Sequence, residues 1–203
     1  MAIQKKRADP QKKRADIMRK AMKLFMAKGF DATSTNDICV AAKLTKPSLY
    51  HYFQSKNHLL FCVHTQAIDE ILHPYLDAVG VIREPDKRLQ AMVRGYTIVI
   101  CSNPQLRFIL HGSLLIQDRY FDRIREEWKK FYLLLRDTIA ELQSTERIRK
   151  DIRASWAALQ ILGMITWMTF WFDHKRKDAI DKLADSAVDM AFHGIGFKNG
   201  DAG

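Results

Sequence analysis

A chain of 203 residues with 47% hydrophobic content is long enough and apolar enough to bury a core of one or two domains, which excludes a disordered polymer. Its net charge of +10, from 33 Lys and Arg against 23 Asp and Glu, points to a polyanionic partner. Three widely spaced cysteines, Cys39, Cys62 and Cys101, with no C-x-x-C pair, exclude a disulfide framework and a zinc site; each reads as a small buried apolar residue in a reducing cytoplasm.

Strand signals are scarce and the 3.6-residue period dominates, so the chain is predicted to be all-α with about nine helices. Residues 1–9 form a basic arm without the apolar run of a signal peptide. Helix α1 is expected from Pro10 to Lys28, with Ile17, Ala21, Leu24 and Phe25 on its apolar face and Gly29 as an αL cap. Helix α2 follows Ser34, which with Asp37 makes a capping-box-like pair, and buries Ile38, Ala41 and Ala42. A turn at Lys43–Leu44 leads to Thr45, the cap of a short α3 from Lys46 to Tyr52, with Pro47 in its first turn. Phe53 closes this small core, and Ser55 caps α4, expected over 56–76.

Pro85-Asp86 opens α5, to Ser102, and Asn103-Pro104 opens α6, to Leu115. Asp118 opens a charged α7, to Leu142, and α8 is the uncharged stretch Ala154 to Phe172. That stretch is long enough to span a bilayer. Its Ser155, Gln160, Gly163, Thr166 and Thr169, and the Lys and Arg at both ends, favour a buried or subunit-interface helix instead. Helix α9, Lys177 to Ile195, carries a wide apolar stripe including Ile180, Leu183, Ala187 and Phe192, and Gly194 and Gly196 end it.

Charge divides the chain. Residues 1–56 hold 13 Lys and Arg against 4 Asp and Glu, a net +9, whereas 57–203 hold 20 against 19, a net +1. Two short helices at the α2–α3 spacing can place one helix in the major groove of DNA, so the basic quarter reads as a DNA-binding head. Nothing in the sequence asks for a catalytic role, a metal or a cofactor. It has no G-x-S-x-G, no phosphate-cradling Gly-rich loop and no His-x-x-x-His pair, and Asp173-His174 reads as a helix-end pair.

Residues 10–60 resemble the DNA-binding domain of the TetR family of bacterial regulators. The resemblance rests on Ala27-x-Gly29-Phe30, Ala32-Thr33, Asp37-Ile38, Ala41-Ala42, Leu44-Thr45-Lys46, the run Ser48 to Phe53, Ser55-Lys56 and Leu59-Leu60. Cys39, Lys43 and Pro47 depart from the residues usual there, Lys43 standing where Gly is common and positive φ is expected. The second half is similar to a subgroup that represses lipid, sterol and aromatic-acid catabolism and is released by acyl-CoA thioesters. The match rests on SNPQLRFIL, ILGMITWMTFWF and AIDKLADSAVDMAFHGI.

The resemblance implies a helix-turn-helix head over 1–56 and a ligand-binding and dimerisation domain over 57–203. It places Thr35, Thr45, Lys46, Pro47, Ser48, Tyr50, His51, Tyr52 and Lys56 at the DNA. Thr45, Lys46, Tyr50 and Lys56 would lie at phosphates, and Ser48 and His51 nearer bases. The arm clusters Lys5-Lys6-Arg7 and Lys12-Lys13-Arg14 would lie along the minor groove. For the effector it implies a pocket among α4 to α8, with Tyr96, Phe108, Phe121, Arg125, Trp128, Lys129, Tyr132, Trp167 and Trp171 as candidates. Aromatics at helical spacing also build ordinary cores, and the α7 cations also have Asp122, Glu126 and Glu127 as neighbours. Helices α8 and α9 would form the homodimer interface. The expectation is a cytoplasmic repressor that binds a pseudo-palindromic operator in double-stranded DNA and responds to an acyl-CoA. An efflux-pump repressor sensing lipophilic drugs and a nonspecific DNA-compacting protein are the alternatives.

Overall fold

Across residues 9–112 and 119–196, which the computed structural model describes, all regular structure is helical. Local chemistry sets the first helix ends. Asp9 accepts the Gln11 N–H at 2.9 Å ahead of α1 (Pro10–Lys28). At the other end Gly29 has φ 85 and ψ 162, so its φ is positive but it is not the αL cap expected from sequence. A Cβ would be strained there, and the extended ψ turns the chain away toward α2 (Thr35–Ala42).

Ser34 and Asp37 form a complete capping box: the Asp37 N–H donates to Ser34 Oγ at 3.1 Å and the Ser34 N–H to Asp37 Oδ2 at 2.8 Å. Lys43 is in the αL region (φ 52, ψ 57), the conformation the turn demands. Thr45 then caps α3 (Lys46–Tyr52), which has Pro47 in its first turn. Ile17, Ala21, Phe25, Ile38, Ala42, Leu49 and Phe53 form the shared core of these three helices.

Helix α4 begins at Ser55, whose hydroxyl accepts the His58 N–H at 3.0 Å. It is one continuous rod over 56–80: an α-helical part, Lys56–Ala67, a π-helical turn, Ile68–Leu72, and a second α-helical part, His73–Gly80. The rod outruns the expected end at residue 76. The π turn lies directly before Pro74, which has no N–H to donate to the preceding turn; the helix takes in an extra residue instead of breaking.

Helix α5 (Pro85–Ser102) is the centre of the second half. It packs against α7 (Arg119–Ser144), α8 (Ala154–Trp171), α9 (Ile180–Gly196, entered through a 3-10 turn at Lys177–Ala179) and the end of α4. Helix α6 (Gln105–Gly112) bridges α1 and α8. The arm cluster Lys5-Lys6-Arg7, the expected α6 end at Leu115, the Asp118 start of α7 and the tail after 196 lie outside the described residues.

Among the described residues no helix is long and apolar enough to cross a membrane. One side of α8 is buried through Ala157, Ala158, Ile161, Ile165 and Thr169, while Trp156, Leu159, Trp167 and Trp171 stand outward at 55 to 75% exposure. Asp173 accepts the Lys175 N–H at 3.0 Å, and His174 Nδ1 donates to the Cys101 carbonyl at 2.7 Å, so this pair pins the α8 end to α5.

Helices α4 and α5 approach closely at Gly95. A Cβ there would stand 2.8 Å from the Tyr75 ring, which is anchored by its hydroxyl on the Met92 carbonyl and by the Phe131 ring at 5.5 Å. Gly95→Ala gains helix propensity but forces that ring aside. A net loss of about 1–2 kcal/mol is expected, read as a fall of roughly 2–8 °C in Tm by calorimetry.

Candidate DNA-binding and effector sites

Helix α3 buries Leu49 and turns the rest of its surface outward. Lys46, Pro47, Tyr50 and His51 are exposed, Tyr50 at 50%, so Tyr50 is not a core residue. Thr45 is exposed at the helix entrance, with its hydroxyl 3.0 Å from that of Ser48. Tyr52 is half-buried, its ring 5.4 Å from that of His51, and Thr35 is half-buried at the start of α2. The structure thus brings eight of the nine predicted DNA-site residues to the starts of α2 and α3 and the outer surface of α3.

Lys56 is placed differently. Its ammonium donates to the Phe30 carbonyl at 2.9 Å and the Thr33 carbonyl at 3.1 Å, and sits 4.2 Å from the centre of the Phe30 ring. It ties the α1–α2 turn to the start of α4, and Thr33 beneath it is fully buried with its hydroxyl on the Gly29 carbonyl at 2.7 Å. Two of the arm cations are likewise turned inward. Lys13 donates to the Ala42 carbonyl at 3.1 Å, and Arg14 donates to Cys62 Sγ at 2.9 Å while lying 5.2 Å from the Phe53 ring. Sequence patterning cannot separate such cations from outward ones, because the acceptors are backbone carbonyls made available by the fold.

In the second half, a cleft of about 380 Å³ opens among α5, α6, α7 and α8. Tyr96, Trp128, Phe131 and Tyr132 supply its aromatic surface, and Arg125 and Lys129 its cationic edge. Five of the nine predicted effector residues meet here: Tyr96, Arg125, Trp128, Lys129 and Tyr132. Leu110, Leu162 and Thr166 also line it and were not anticipated. Thr166 had a signal, a hydroxyl in an otherwise apolar helix, and it lies 3.0 Å from the Tyr96 hydroxyl. Burial pushes the Tyr96 pKa up to about 12, so this pair is a neutral hydrogen bond. The buried indole N–H of Trp128 has no acceptor among the described residues, an orphan donor beside the cleft.

The other four candidates lie elsewhere. Phe108 stacks on Phe25 at 5.7 Å, under the head. Phe121 packs beside Arg125, 5.9 Å from its guanidinium, outside the cleft lining. Trp167 and Trp171 stand on the outer side of α8, at 58% and 75% exposure. An uncharged helix does not show in its sequence which of its sides faces outward, so this placement was not readable there. The α7 charges pair along their own helix, Arg125 with Asp122 at 3.1 Å, Lys129 with Glu126 at 3.3 Å and Lys130 with Glu127 at 2.6 Å. Exposed pairs of this kind contribute little, so Arg125 and Lys129 can turn to an anionic ligand at small cost.

Cleft and head are joined through α4. Trp128 also borders a void of only about 10 Å³ against Ile71 and Leu72 of the π turn. Eight residues earlier, the fully buried His64 ring lies between two carbonyls, Leu60 at 2.9 Å from Nδ1 and Ile109 at 3.0 Å from Nε2. Burial holds its pKa below the ordinary 6.5, so the ring is neutral at pH 7 and donates to only one carbonyl at a time.

Comparison with known proteins bears on the family and the fold. The model of bacterial regulatory proteins of the tetR family matches residues 17–63, and the tetracyclin repressor-like C-terminal domain matches residues 83–195. The HTH-type transcriptional repressor KstR2 of Rhodococcus jostii (strain RHA1) is 37% identical over 186 residues, covering 90% of this chain and 91% of that protein. The HTH-type transcriptional activator FasR of Mycolicibacterium smegmatis is 20% identical over 90% of this chain and 83% of its own length. The crystal structure of AibR in complex with isovaleryl coenzyme A and operator DNA superposes with a TM-score of 0.80 at 26% identity, covering 88% of this chain and 97% of that one.

The inward and outward cations behave differently under substitution. Lys56→Ala strands two carbonyls and is expected to cost about 1–2 kcal/mol in denaturant unfolding, while Lys46→Ala stays within about 0.5 kcal/mol of the parent.

Proposed function

From the premise that the chain belongs to the TetR family of bacterial regulatory proteins, we propose that it is a dimeric transcriptional repressor whose hold on an operator is relieved by an acyl-CoA thioester. The observation that carries the DNA part is the outward set on α3, Lys46, Pro47, Tyr50 and His51, on a head whose Lys13, Arg14 and Lys56 are occupied internally. In this reading residues 1–56 are the head and 57–203 the sensing and dimerising part. Ser48 and His51 face base edges, and Thr45, Lys46 and Tyr50 face phosphates.

The effector reading rests on the cleft. Its aromatic surface accepts an apolar acyl group, the unpartnered Trp128 N–H offers a donor for a thioester carbonyl, and Arg125 and Lys129 meet anionic oxygens at the edge. AibR was crystallised with isovaleryl coenzyme A and operator DNA, which supports the same ligand class here. The outward apolar stripe of α8, with Trp156, Leu159, Trp167 and Trp171, and the 62% exposed Met190 of α9 are the surface for a two-fold partner. A ligand in the cleft would press Trp128 toward the π turn of α4 and so change how the two heads are spaced. Its effect is limited to the difference in its affinity for the two states.

Fluorescence anisotropy on the protein's own upstream DNA, against scrambled DNA, tests both parts. Specific binding is expected, lost by at least tenfold in a Lys46→Ala, His51→Ala double variant that keeps its Tm. An acyl-CoA pool is expected to release the DNA, and Trp128→Phe to raise the thioester concentration needed by about tenfold without changing free operator affinity. Equal binding to scrambled DNA would favour a compacting protein. Specific binding unmoved by the pool would discard the thioester.

A further inference from the structure

A second and larger cleft, of about 710 Å³, opens where the head meets the body. One side is the end of α1 and the turn after it, Phe25, Gly29 and Phe30; the other is α6 together with the end of α8. Only one residue of this lining, Phe108, was among the effector candidates, and the cleft shares no residue with the one around Trp128.

Its chemistry is specific. The Phe170 ring lies between the His111 ring, 4.2 Å away, and the Arg107 guanidinium, 5.2 Å away. Arg107 is exposed and has no carboxylate partner among the described residues, in contrast to Arg88, Arg94, Arg125 and Arg149, each of which is ion-paired. His111 Nε2 lies 3.1 Å from Thr169 Oγ1, whose own proton goes to the Thr166 carbonyl at 2.8 Å. Thr169 is therefore the acceptor, and the imidazole is the donor, held with its Nε2 protonated. Burial and the neighbouring Arg107 both lower the His111 pKa, so the ring adds no charge at pH 7. Among the described residues the cleft thus offers aromatic surfaces, the imidazoles of His111 and His174, and one guanidinium, that of Arg107, with no carboxylate partner. That set suits a flat body with a single negative charge. It does not suit a polyphosphate, whose several charges would need several partners.

We propose that this junction cleft is a second small-molecule site, for an aromatic monocarboxylate whose ring packs against Phe170 and Phe108 and whose carboxylate takes the Arg107 fork. Because the lining comes from α1 on one side and α6 and α8 on the other, an occupant clamps the head to the body. The binding stands without the operator reading; only its consequence for DNA rests on that reading.

Calorimetric titration of the full-length protein with 2-naphthoate tests the site. One saturable site per chain is expected. Arg107→Gln and Phe170→Ala weaken it at least tenfold, while Arg125→Gln and Tyr132→Ala, in the other cleft, leave it unchanged. On the unsubstituted protein the uncharged 2-naphthamide binds at least tenfold more weakly, a readout independent of how any variant folds. Absence of saturable heat, indifference to Arg107→Gln, or a loss that follows Arg125→Gln or Tyr132→Ala would overturn the assignment. Naphthoate binding on a protein that does not distinguish operator from scrambled DNA would sink the repressor reading and leave this site standing.

Discussion

One helix, α4, carries buried side chains on both sides of the junction between head and body, within one continuous apolar core, and the rest of the molecule is arranged around that constraint. Its first turns carry Leu59 and Leu60 into the core of the head, and its later turns carry Ala67, Ile68 and Leu72 into the body. Lys56 fixes its start to the α1–α2 turn, and His64 fixes its middle to α6. Buried side chains along its length thus tie α4 to both the head and the body. The π turn at Ile68–Leu72 is where the rod departs from regular α-helix, and it faces Trp128.

The polar chemistry of the head divides between folding and recognition. Capping groups and inward cations satisfy helix ends in the head, where α2 and α3, of 8 and 7 residues, are too short to persist alone. Lys28 holds the Asp37 carboxyl well below the usual carboxylate range, with Ser34 adding hydrogen bonds, so the capping box stays charged down to low pH. What then remains outward on α3, one lysine, one imidazole and one phenol among small residues, is free to meet DNA without loosening the fold. Neither Lys46 nor His51 is buried in the fold, so substituting them need not loosen it.

Much of this was legible in the sequence wherever the determinant was local. Ser34-x-x-Asp37, Thr45 before Pro47 and Ser55 before α4 marked helix starts, and the positive φ of Lys43 was expected from the family resemblance, since Lys43 stands where Gly is common. What the sequence did not reveal depended on neighbours distant in the chain. Gly29 was readable as a helix stop, but its extended ψ is set by how Phe30 and Thr33 are tied to Lys56. Nothing local distinguishes Lys56 from Lys46. The π turn precedes Pro74 within a helix that stays continuous, and α4 runs on to Gly80, past its expected end at residue 76. In the effector region, aromatic content alone could not tell the cleft residues Tyr96, Trp128 and Tyr132 from the outward Trp167 and Trp171. The junction cleft was invisible because its sides come from α1, α6 and α8.

On the proposed reading, occupation of the cleft beside Trp128 moves the heads through α4. Gln54, exposed between α3 and α4, is a fitting place for a reporter, since the native cysteines Cys39, Cys62 and Cys101 are all buried. The most direct test is the distance between spin labels on Gln54→Cys in the two subunits of the dimer, measured alone and with the acyl-CoA pool. The account predicts a shifted distance distribution with the thioester, at the concentrations that release DNA. An unchanged distribution at those concentrations would contradict it.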